Sequence, residues 1–198
     1  MLQSVEGEEA TGKTSYAYTA PLKIVGFAFD MGVERALVGP RHQGLFSACK
    51  IKIVPYGDRL TAVWQDNDIT IYELPPPIQL DSIKVNGCRY LWSQFIVLAA
   101  EALQDNSVKT IVVDTMSVAR RVKASAYLEA LQDDAIENKK PMRERLLQIE
   151  WAAPNDAVRD LYTTAQGLKK NLIAVHHLTD ERTDKVDKDG RVVQGVLT

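Results

Sequence analysis

Apolar runs alternate with stretches of helical periodicity along most of the chain. Short runs of apolar and β-branched residues predict buried strands. Six of these runs lie at residues 2–5, 23–29, 51–54, 69–72, 110–114 and 172–175. Apolar residues at three- and four-residue spacing predict helices over residues 90–103, 117–132 and 142–150, and another that begins near residue 155. Buried strands joined by helices indicate a three-layer α/β fold with a mainly parallel central sheet.

Turn-forming residues mark where these elements end. A helix over residues 15–20 should stop at Pro21, and residues 138–141 should break the helical region that follows residue 117. The helix that begins near residue 155 has a predicted apolar face of Val158, Leu161, Tyr162, Ala165 and Leu168. The dipeptide at residues 189–190, Asp-Gly, favours a hairpin turn between Lys185–Lys188 and Arg191–Val193.

Composition indicates one globular domain. The chain has 198 residues and 45% hydrophobic content, which suffices for one core over residues 1–198. It begins almost on the first strand and ends on an apolar run, so we expect it to be truncated or incompletely ordered at its C-terminus. Two cysteines, no leader segment and no run of eighteen apolar residues favour a cytoplasmic protein that does not enter a membrane.

A phosphate-loop motif is the most specific chemical signal in the sequence. The pattern G-x-x-x-x-G-K-[ST] is matched by Gly7, Glu8, Glu9, Ala10, Thr11, Gly12, Lys13 and Thr14, with Ser15 following. The glycines allow backbone amides to face one anion, and the next helix directs its positive end at the same phosphates. We therefore predict that residues 7–15 bind ATP, with Lys13 on the β- and γ-phosphates and Thr14 as a Mg²⁺ ligand.

Carboxylates at strand ends complete the predicted catalytic site. Asp114 follows a β-branched run, as expected of a Walker B residue that holds Mg²⁺, although it could instead cap the next helix. Asp30 and Glu34 are the two candidates for the group that orients the attacking water. Asp30 could equally support Lys13 or the metal, and Glu34 could be a solvated residue paired with Arg35.

Two histidines follow the last predicted helix-linked strand. An imidazole there could donate a hydrogen bond to a phosphate oxygen or to the attacking water. Adjacent strand residues face opposite sides, so only one of His176 and His177 can enter the site. We predict that His177 is the γ-phosphate sensor and that His176 packs within the fold.

Basic residues occur in clusters, although the formal net charge is only −2. The three clusters are Arg120, Arg121 and Lys123; Lys139, Lys140, Arg143 and Arg145; and Arg182, Lys185, Lys188 and Arg191. Such groups are usually solvated helix faces. The first and third follow predicted strand ends, where a nucleic-acid motor would carry its mobile loops, so they are candidates for nucleic-acid binding.

These motifs resemble the RecA-like ATPases, and in particular the small phage-encoded type associated with single-strand annealing and recombination. The similar segments read GEEATGKT, KIVGFAFDMG, KTIVVDTMS and NDAVRDLYTTAQGLKKNLIAVHHLTDER. The resemblance spans residues 1–182, and the phosphate loop is its most specific part. It implies a P-loop NTPase fold, Mg²⁺-dependent ATP hydrolysis, single-stranded DNA binding, a homo-oligomeric ring or filament, and a bacterial host cytoplasm.

By position, the resemblance assigns Lys13 and Thr14 to phosphate and Mg²⁺, Asp114 to the Walker B acid and His177 to the sensor. The chain also departs from the family. Gly32 stands where the catalytic glutamate is expected, residues 39–88 form a longer, inserted or variable region, and no arginine finger can be assigned. A nucleotide-gated binding or loading protein with weak or no hydrolysis is therefore the alternative. A small-molecule kinase is disfavoured, because the sequence has no arginine-rich lid.

Overall fold

The computed structural model describes residues 1–8, 11–39, 43–57, 60–80, 83–177, 182–186 and 192–197. Six strands form one sheet: β1 (Leu2–Gly7), β2 (Ile24–Ala28), β3 (Ile51–Val54), β4 (Ile69–Glu73), β5 (Thr110–Asp114) and β6 (Asn171–His177). Their order is β1-β6-β5-β2-β4-β3, and every pair is parallel. The predicted α/β fold with a parallel central sheet is confirmed.

The register of the central strands brings their carboxyl ends level with one another. Asp114 at the end of β5 pairs with Ala28 of β2 on one side and with Val175 of β6 on the other. Gly7 at the end of β1 pairs with His177. The sheet therefore delivers the phosphate loop, Asp114 and His177 to the same edge, where ligands of open α/β sheets bind.

Helices cover both faces of this sheet. They are α1 (Lys13–Ala17), α2 (Val33–Leu37), α3 (Gln43–Phe46), α4 (Cys88–Gln104), α5 (Met116–Glu137) and α6 (Ala152–Gly167), with a 3₁₀ turn at Gln148–Trp151 before α6. Within the described parts of the chain, every helix is too short or too polar to cross a lipid bilayer.

The alternation of side chains along β2 divides the core into two clusters. Val25, Phe27 and Phe29 face the cluster built with α4, α5 and α6, where Phe95 packs edge-on against both phenylalanines at 5.1 Å. Ile24 and Ala28 face the opposite cluster, which contains residues of α1, α2 and α3. Strand residues in register with Ala28 therefore point to the side of the phosphate loop.

The region of residues 39–88, expected to be inserted or variable, contributes two strands to the main sheet. β3 and β4 pair in parallel, and β4 pairs in parallel with β2. They extend the sheet on the side opposite to β1.

The prediction of a helix over residues 142–150 is wrong. Gln132, which is fully buried in α5, donates to the carbonyl of Arg143 at 2.6 Å, and Glu150 accepts from the backbone N–H of Leu147 at 2.7 Å. These side chains hold the backbone outside helical geometry. Leu147 and Ile149, two of the apolar residues in this predicted helix, are 55% and 82% exposed.

Two other helices have different ends from those predicted. α1 ends at Ala17, so the helix expected to reach residue 20 is shorter than predicted. α6 begins at Ala152, and Pro154 lies in its first turn, where a missing N–H costs no helical hydrogen bond. Leu161 and Ala165 are buried as predicted, but Leu168 lies beyond the helix and is 45% exposed.

A short antiparallel pair follows the main sheet. It consists of β7 (Arg182–Val186) and β8 (Val192–Leu197), with an irregularity in register between Thr183 and Lys185. The predicted hairpin is thus present with longer strands than expected. Its predicted turn at residues 189–190 lies outside the described residues.

Candidate functional site

The phosphate loop connects β1 to α1. Gly12 has φ of +85°, a left-handed conformation that favours glycine, and it precedes the first residue of α1. A Cβ at Gly7 would lie 3.0 Å from the Thr11 hydroxyl oxygen, and that hydroxyl donates to the carbonyl of Glu8 at 2.8 Å. The motif therefore folds as a tight loop. Glu9 and Ala10, also predicted to bind nucleotide, lie outside the described residues.

Lys13 is packed into this loop. Only 8% of the residue is exposed, and its ammonium group donates to the carbonyl of Gly7 at 2.6 Å and to the carbonyl of Glu8. A cation that is bound only to neutral carbonyls can exchange them for phosphate oxygens, which carry more charge.

Ser15 and Thr14 have different surroundings. The Ser15 hydroxyl donates to the carbonyl of Ala36 at 2.8 Å, which ties α1 to α2. The Thr14 hydroxyl faces Asp114 and stabilises its charged form, although the two do not meet the distance and angle of a hydrogen bond. Thr14 is thus the hydroxyl of α1 that lies beside the carboxylate at the end of β5.

Asp114 is the most perturbed acid of the site. It is 1% exposed, and neither carboxylate oxygen has a hydrogen-bond partner among the described residues. Burial raises its pKa to about 6, and the charge of Asp30 adds to the rise. The Thr14 hydroxyl, His177 and Lys13 act in the opposite direction. A buried, unpaired acid of this kind is typical of a functional site.

Asp30 and His177 form a pair that spans the end of β5. Asp30 Oδ2 lies 3.3 Å from His177 Nε2, while Asp30 Oδ1 accepts from the backbone N–H of Gly32 at 3.0 Å. The two side chains remain 37% and 35% exposed. His177 ends β6 and Asp30 follows β2, and these two strands flank β5, so the pair lies beside Asp114 and open to solvent.

Glu34 is not brought to this cluster. It is an exposed residue in the first turn of α2, and its side chain has no hydrogen bond or ion pair to another described residue. Asp30 and Glu34 were the two candidates for orienting water. Only Asp30 lies close to Asp114 and His177.

His176 faces the other side of β6. It pairs in register with Glu6, and it shares a face with Leu172 and Ala174 of the larger core cluster. Burial lowers the pKa of His176, and the charge of Glu6 partly offsets this. The two histidines therefore separate as the strand alternation predicts.

The basic cluster on α5 is largely committed to internal contacts. Arg120 donates to Asn155 Oδ1 at 2.8 Å, and its guanidinium lies 5.4 Å from the centre of the Trp151 ring. Lys123 lies 5.4 Å from the ring centre of Trp92, and burial lowers its pKa. Only Arg121 of this predicted cluster is exposed without such a contact among the described residues.

The second basic cluster forms ion pairs, and part of the third cluster lies on β7. Arg143 forms an ion pair with Glu150, and Lys140 lies 3.8 Å from Asp134. Arg182 and Lys185 belong to β7. Lys188 and Arg191 lie outside the described residues.

Several buried polar atoms near the end of β5 have no hydrogen-bond partner among the described residues. Besides the Asp114 oxygens, they include the hydroxyls of Tyr18, Thr115 and Ser117 and the Nδ1 atom of His177. Tyr18 was not among the residues predicted from the sequence. The only signal for it is Gly26 in the middle of a buried strand, since such a glycine often marks a close approach of another group.

The residues present fit a magnesium ion. Mg²⁺ is usually held by one or two protein oxygens together with substrate phosphates and water, which matches an unpartnered Asp114 carboxylate beside the Thr14 hydroxyl. The described residues contain no group of three or more His, Cys, Asp or Glu side chains that could hold a metal on their own. Mg²⁺ would therefore bind here together with a nucleotide, whose phosphates would supply further ligands.

A separate cavity of about 250 Å³ lies away from this cluster. Its lining includes Pro76, Pro77, Cys88, Val122 and Arg121 of the α5 basic cluster, and none of the residues predicted to bind the nucleotide or the metal. The cavity is therefore not part of the cluster at the phosphate-loop edge of the sheet.

Comparison with known proteins gives one family. The family described as AAA domain matches residues 4–195 of the chain. No curated protein matches the chain. The family match covers the phosphate loop, Asp30, Asp114 and His177 together.

Proposed function

The chain belongs to the AAA domain family, and on that premise we propose that it binds ATP together with Mg²⁺ and hydrolyses it. One observation carries the proposal: the Asp114 carboxylate is buried without a hydrogen-bond partner among the described residues, beside the Thr14 hydroxyl and near Lys13. Leaving both oxygens unpaired costs folding free energy, which a catalytic use of the group would explain.

Phosphate binding is assigned to the loop and to Lys13. The backbone amides that follow Gly7 and precede α1 would bind the β- and γ-phosphate oxygens, and the Lys13 ammonium would leave the carbonyls of Gly7 and Glu8 for the same oxygens. Thr14 and Asp114 would hold Mg²⁺, which when bound neutralises phosphate charge.

Water activation is assigned to Asp30 and His177. The attacking water would donate a hydrogen bond to Asp30 while its oxygen approaches the γ-phosphorus, and the bond from that phosphorus to the β–γ bridging oxygen breaks. His177, whose Nε2 lies 3.3 Å from Asp30 Oδ2, would orient the carboxylate before ATP binds, and would sense the γ-phosphate by turning the same ring N–H to donate to it. The released proton passes to Asp30 or to solvent.

We further propose that turnover is coupled to single-stranded DNA binding by a homo-oligomer, in recombination or annealing. The resemblance to phage-encoded RecA-like ATPases supports this. The third basic cluster, which follows the strand that ends at His177, is the favoured contact because the α5 cluster is largely occupied by Trp151, Asn155 and Trp92. The homo-oligomer, the phage origin and the host cytoplasm are parts of the same proposal.

The alternative is a nucleotide-gated binding or loading protein with weak or no hydrolysis. One observation favours it: Gly32 stands where the RecA-like ATPases that the chain resembles keep a glutamate, and Glu34 is exposed away from Asp114. In that case ATP binding would change the affinity for a partner without rapid turnover.

Steady-state ATP turnover with and without single-stranded DNA separates these functions. We expect Mg²⁺-dependent turnover that DNA stimulates, and its loss in Lys13→Ala. Tight Mg²⁺-ATP binding with negligible turnover in both conditions would instead support the binding protein. Absence of ATP binding in the wild-type protein would refute both.

A further inference from the structure

We propose that the cavity of about 250 Å³ between α4, α5 and the segment after β4 holds one unstacked base of single-stranded DNA, while Arg121 at its rim binds a neighbouring phosphate. This cavity is called the base slot below. The inference rests on the single-strand binding in the proposed function and concerns where a base would be held. The residues that define the base slot are Pro76, Pro77, Cys88, Val118, Arg121 and Val122.

The walls of the base slot are mainly apolar and come from three segments. Pro76 and Pro77 follow β4, Cys88 is the first residue of α4, and Val118 and Val122 lie on α5. An apolar cavity of about 150 Å³ can hold a benzene ring. The larger base slot therefore has room for the flat ring of a base, whose apolar faces would leave water on entry.

Contacts around the base slot fix its shape. The Gln79 carboxamide donates to the carbonyl of Asn86 at 2.8 Å and accepts from the Asn86 backbone N–H at 3.2 Å. Gly87 has φ of +82°, and a Cβ there would lie 3.3 Å from Pro77 Cγ. The Gly87 backbone N–H also donates to Glu129 of α5 at 3.0 Å. Because the walls are held in place before a ligand arrives, binding would not have to order them.

One stripe of α5 adds a positive charge to these walls. Val118, Arg121, Val122 and Ser125 all line the cavity, and their spacing places them on one face of the helix. Arg121 is exposed, so it lies at the rim. Unlike the other two basic residues of the α5 cluster, its side chain has no hydrogen bond, ion pair or ring contact among the described residues. The Arg121 guanidinium can therefore bind a phosphate.

A single strand of DNA presents the matching combination, because each base with its apolar faces is joined to a charged phosphate. Proteins bind such strands by stacking bases and following the backbone with basic residues. The Ser125 hydroxyl both donates and accepts, so it would contact a base edge without selecting one base. α5 begins at Met116, close after Asp114, so a bound base would contact the helix that leads from the proposed metal site.

The test compares an oligothymidine strand with an abasic strand of equal length, which carries the same phosphates without bases. Fluorescence anisotropy measures the affinity of each protein for both labelled strands. We expect wild type to bind oligothymidine at least about fivefold more tightly, which is the lower end of the effect of one stacked base. Ser125→Leu, which fills the base slot, should lose this preference and keep its affinity for the abasic strand. The matched control is Thr164→Leu, at an exposed position of α6.

A second variant tests the rim. Arg121→Gln should weaken the binding of both strands and flatten the slope of log affinity against log salt by about 0.7, the share of one phosphate contact. Arg145→Gln, which removes an exposed charge elsewhere, is its control and should keep the wild-type slope. Circular dichroism checks that the variants fold. If Ser125→Leu does not fold, Val118→Phe fills the base slot in its place.

Equal affinity of wild type for the two strands would overturn the inference and leave strand binding through the backbone standing. A preference for oligothymidine that persists in the folded slot-filling variant would also overturn it, because the bases would then be held elsewhere. Binding of neither strand by wild type would refute both the base slot and the proposed DNA coupling, whereas ATP turnover would still test the rest of the proposed function.

Discussion

Asp30 Oδ2 lies 3.3 Å from Nε2 of His177, and the two side chains meet across the end of β5 beside Asp114. The pairing is a consequence of strand order. β2 and β6 both flank β5, so residues that follow their carboxyl ends approach each other over the central strand. Two residues that are 147 positions apart in the sequence therefore form one candidate functional pair.

Replacing Asp30 by Asn should separate its role from that of Glu34. If Asp30 orients the attacking water, Asp30→Asn lowers kcat by about a hundredfold with KM nearly unchanged, since the interaction forms mainly in the transition state. Glu34→Gln is the matched control, because Glu34 is exposed and its side chain has no hydrogen bond or ion pair to another described residue. Steady-state kinetics give both constants. Equal and small effects in the two variants would favour the binding-protein alternative.

The strands that carry the site could be predicted from sequence, because buried β-branched runs ending in a polar residue give a strong local signal. Asp114 and His177 were found in this way. The order of the strands in the sheet could not be predicted from the sequence, because it depends on contacts between distant segments. The pairing of Asp30 with His177 follows from that order, so the sequence left Asp30 and Glu34 as equal candidates.

Lys13→Ala should abolish nucleotide binding while leaving the protein folded. The substitution removes the ammonium that is held by the carbonyls of Gly7 and Glu8, and it leaves the core clusters intact. Titration with a fluorescent ATP analogue measures binding, and thermal unfolding followed by circular dichroism measures the fold. The control is Lys52→Ala, an exposed lysine on β3. Binding close to the wild-type level in folded Lys13→Ala would refute the phosphate-loop assignment.

Asp114→Asn should be more stable than wild type at neutral pH and much less active. The pKa of Asp114 is about 6 in the folded protein against 3.8 ordinarily, because burial disfavours the charged form. As pH rises from about 4 to about 6, the unfolded state loses this proton first, so wild-type stability falls across that window. The full difference is about 3 kcal/mol. Asparagine carries no charge to bury.

Denaturant unfolding of both proteins without metal or nucleotide, at pH values from 4 to 8, checks this. The advantage of Asp114→Asn should be absent near pH 4, grow to about pH 6 and then level off. Its Mg²⁺-dependent turnover should fall by orders of magnitude. A variant that unfolds more easily than wild type at pH 7 would indicate that Asp114 has a structural role instead.

Gly26→Ala should destabilise the protein. The added methyl would lie 2.1 Å from the Tyr18 hydroxyl oxygen, in a core where Tyr18 cannot move without disturbing its neighbours. Overpacking of this kind costs about 1–3 kcal/mol. The control is Gly44→Ala, where a Cβ meets nothing within 4 Å. Denaturation midpoints should fall only for the Gly26 variant, and equal midpoints would mean that the ring of Tyr18 shifts freely.

The structure also differs from the predicted helix over residues 142–150 and from the predicted exposure of the α5 basic cluster, and both differences have physical causes. The spacing of apolar residues predicted a helix over residues 142–150, but Gln132 and Glu150 bind backbone groups there and fix another conformation. Such side-chain contacts compete with helical hydrogen bonds, and they cannot be read from periodicity. Arg120 and Lys123 looked free for DNA because the rings they contact, Trp151 and Trp92, are distant in sequence.

The proposed DNA contact can be tested on the third basic cluster. β7 and β8 follow β6, whose last residue, His177, is the proposed γ-phosphate sensor, so DNA bound there could respond to the nucleotide. A protein of net charge −2 needs a local basic group to bind DNA, because phosphate contacts release counterions and supply most of the sequence-independent affinity.

Replacing Lys185, Lys188 and Arg191 together by Ala should therefore weaken single-stranded DNA binding and preserve ATP binding. If each residue contacts one phosphate, the slope of log affinity against log salt should flatten by about 2, since each contact contributes about 0.7 on single strands. Fluorescence anisotropy at several salt concentrations measures both quantities. The control removes the same charge from exposed positions elsewhere, with Lys139, Lys140 and Arg145 replaced by Ala. Equal affinity and slope in the two triple variants would assign the segment that contains β7 and β8 to an ordinary solvated hairpin, and the DNA proposal would then rest on the family resemblance alone.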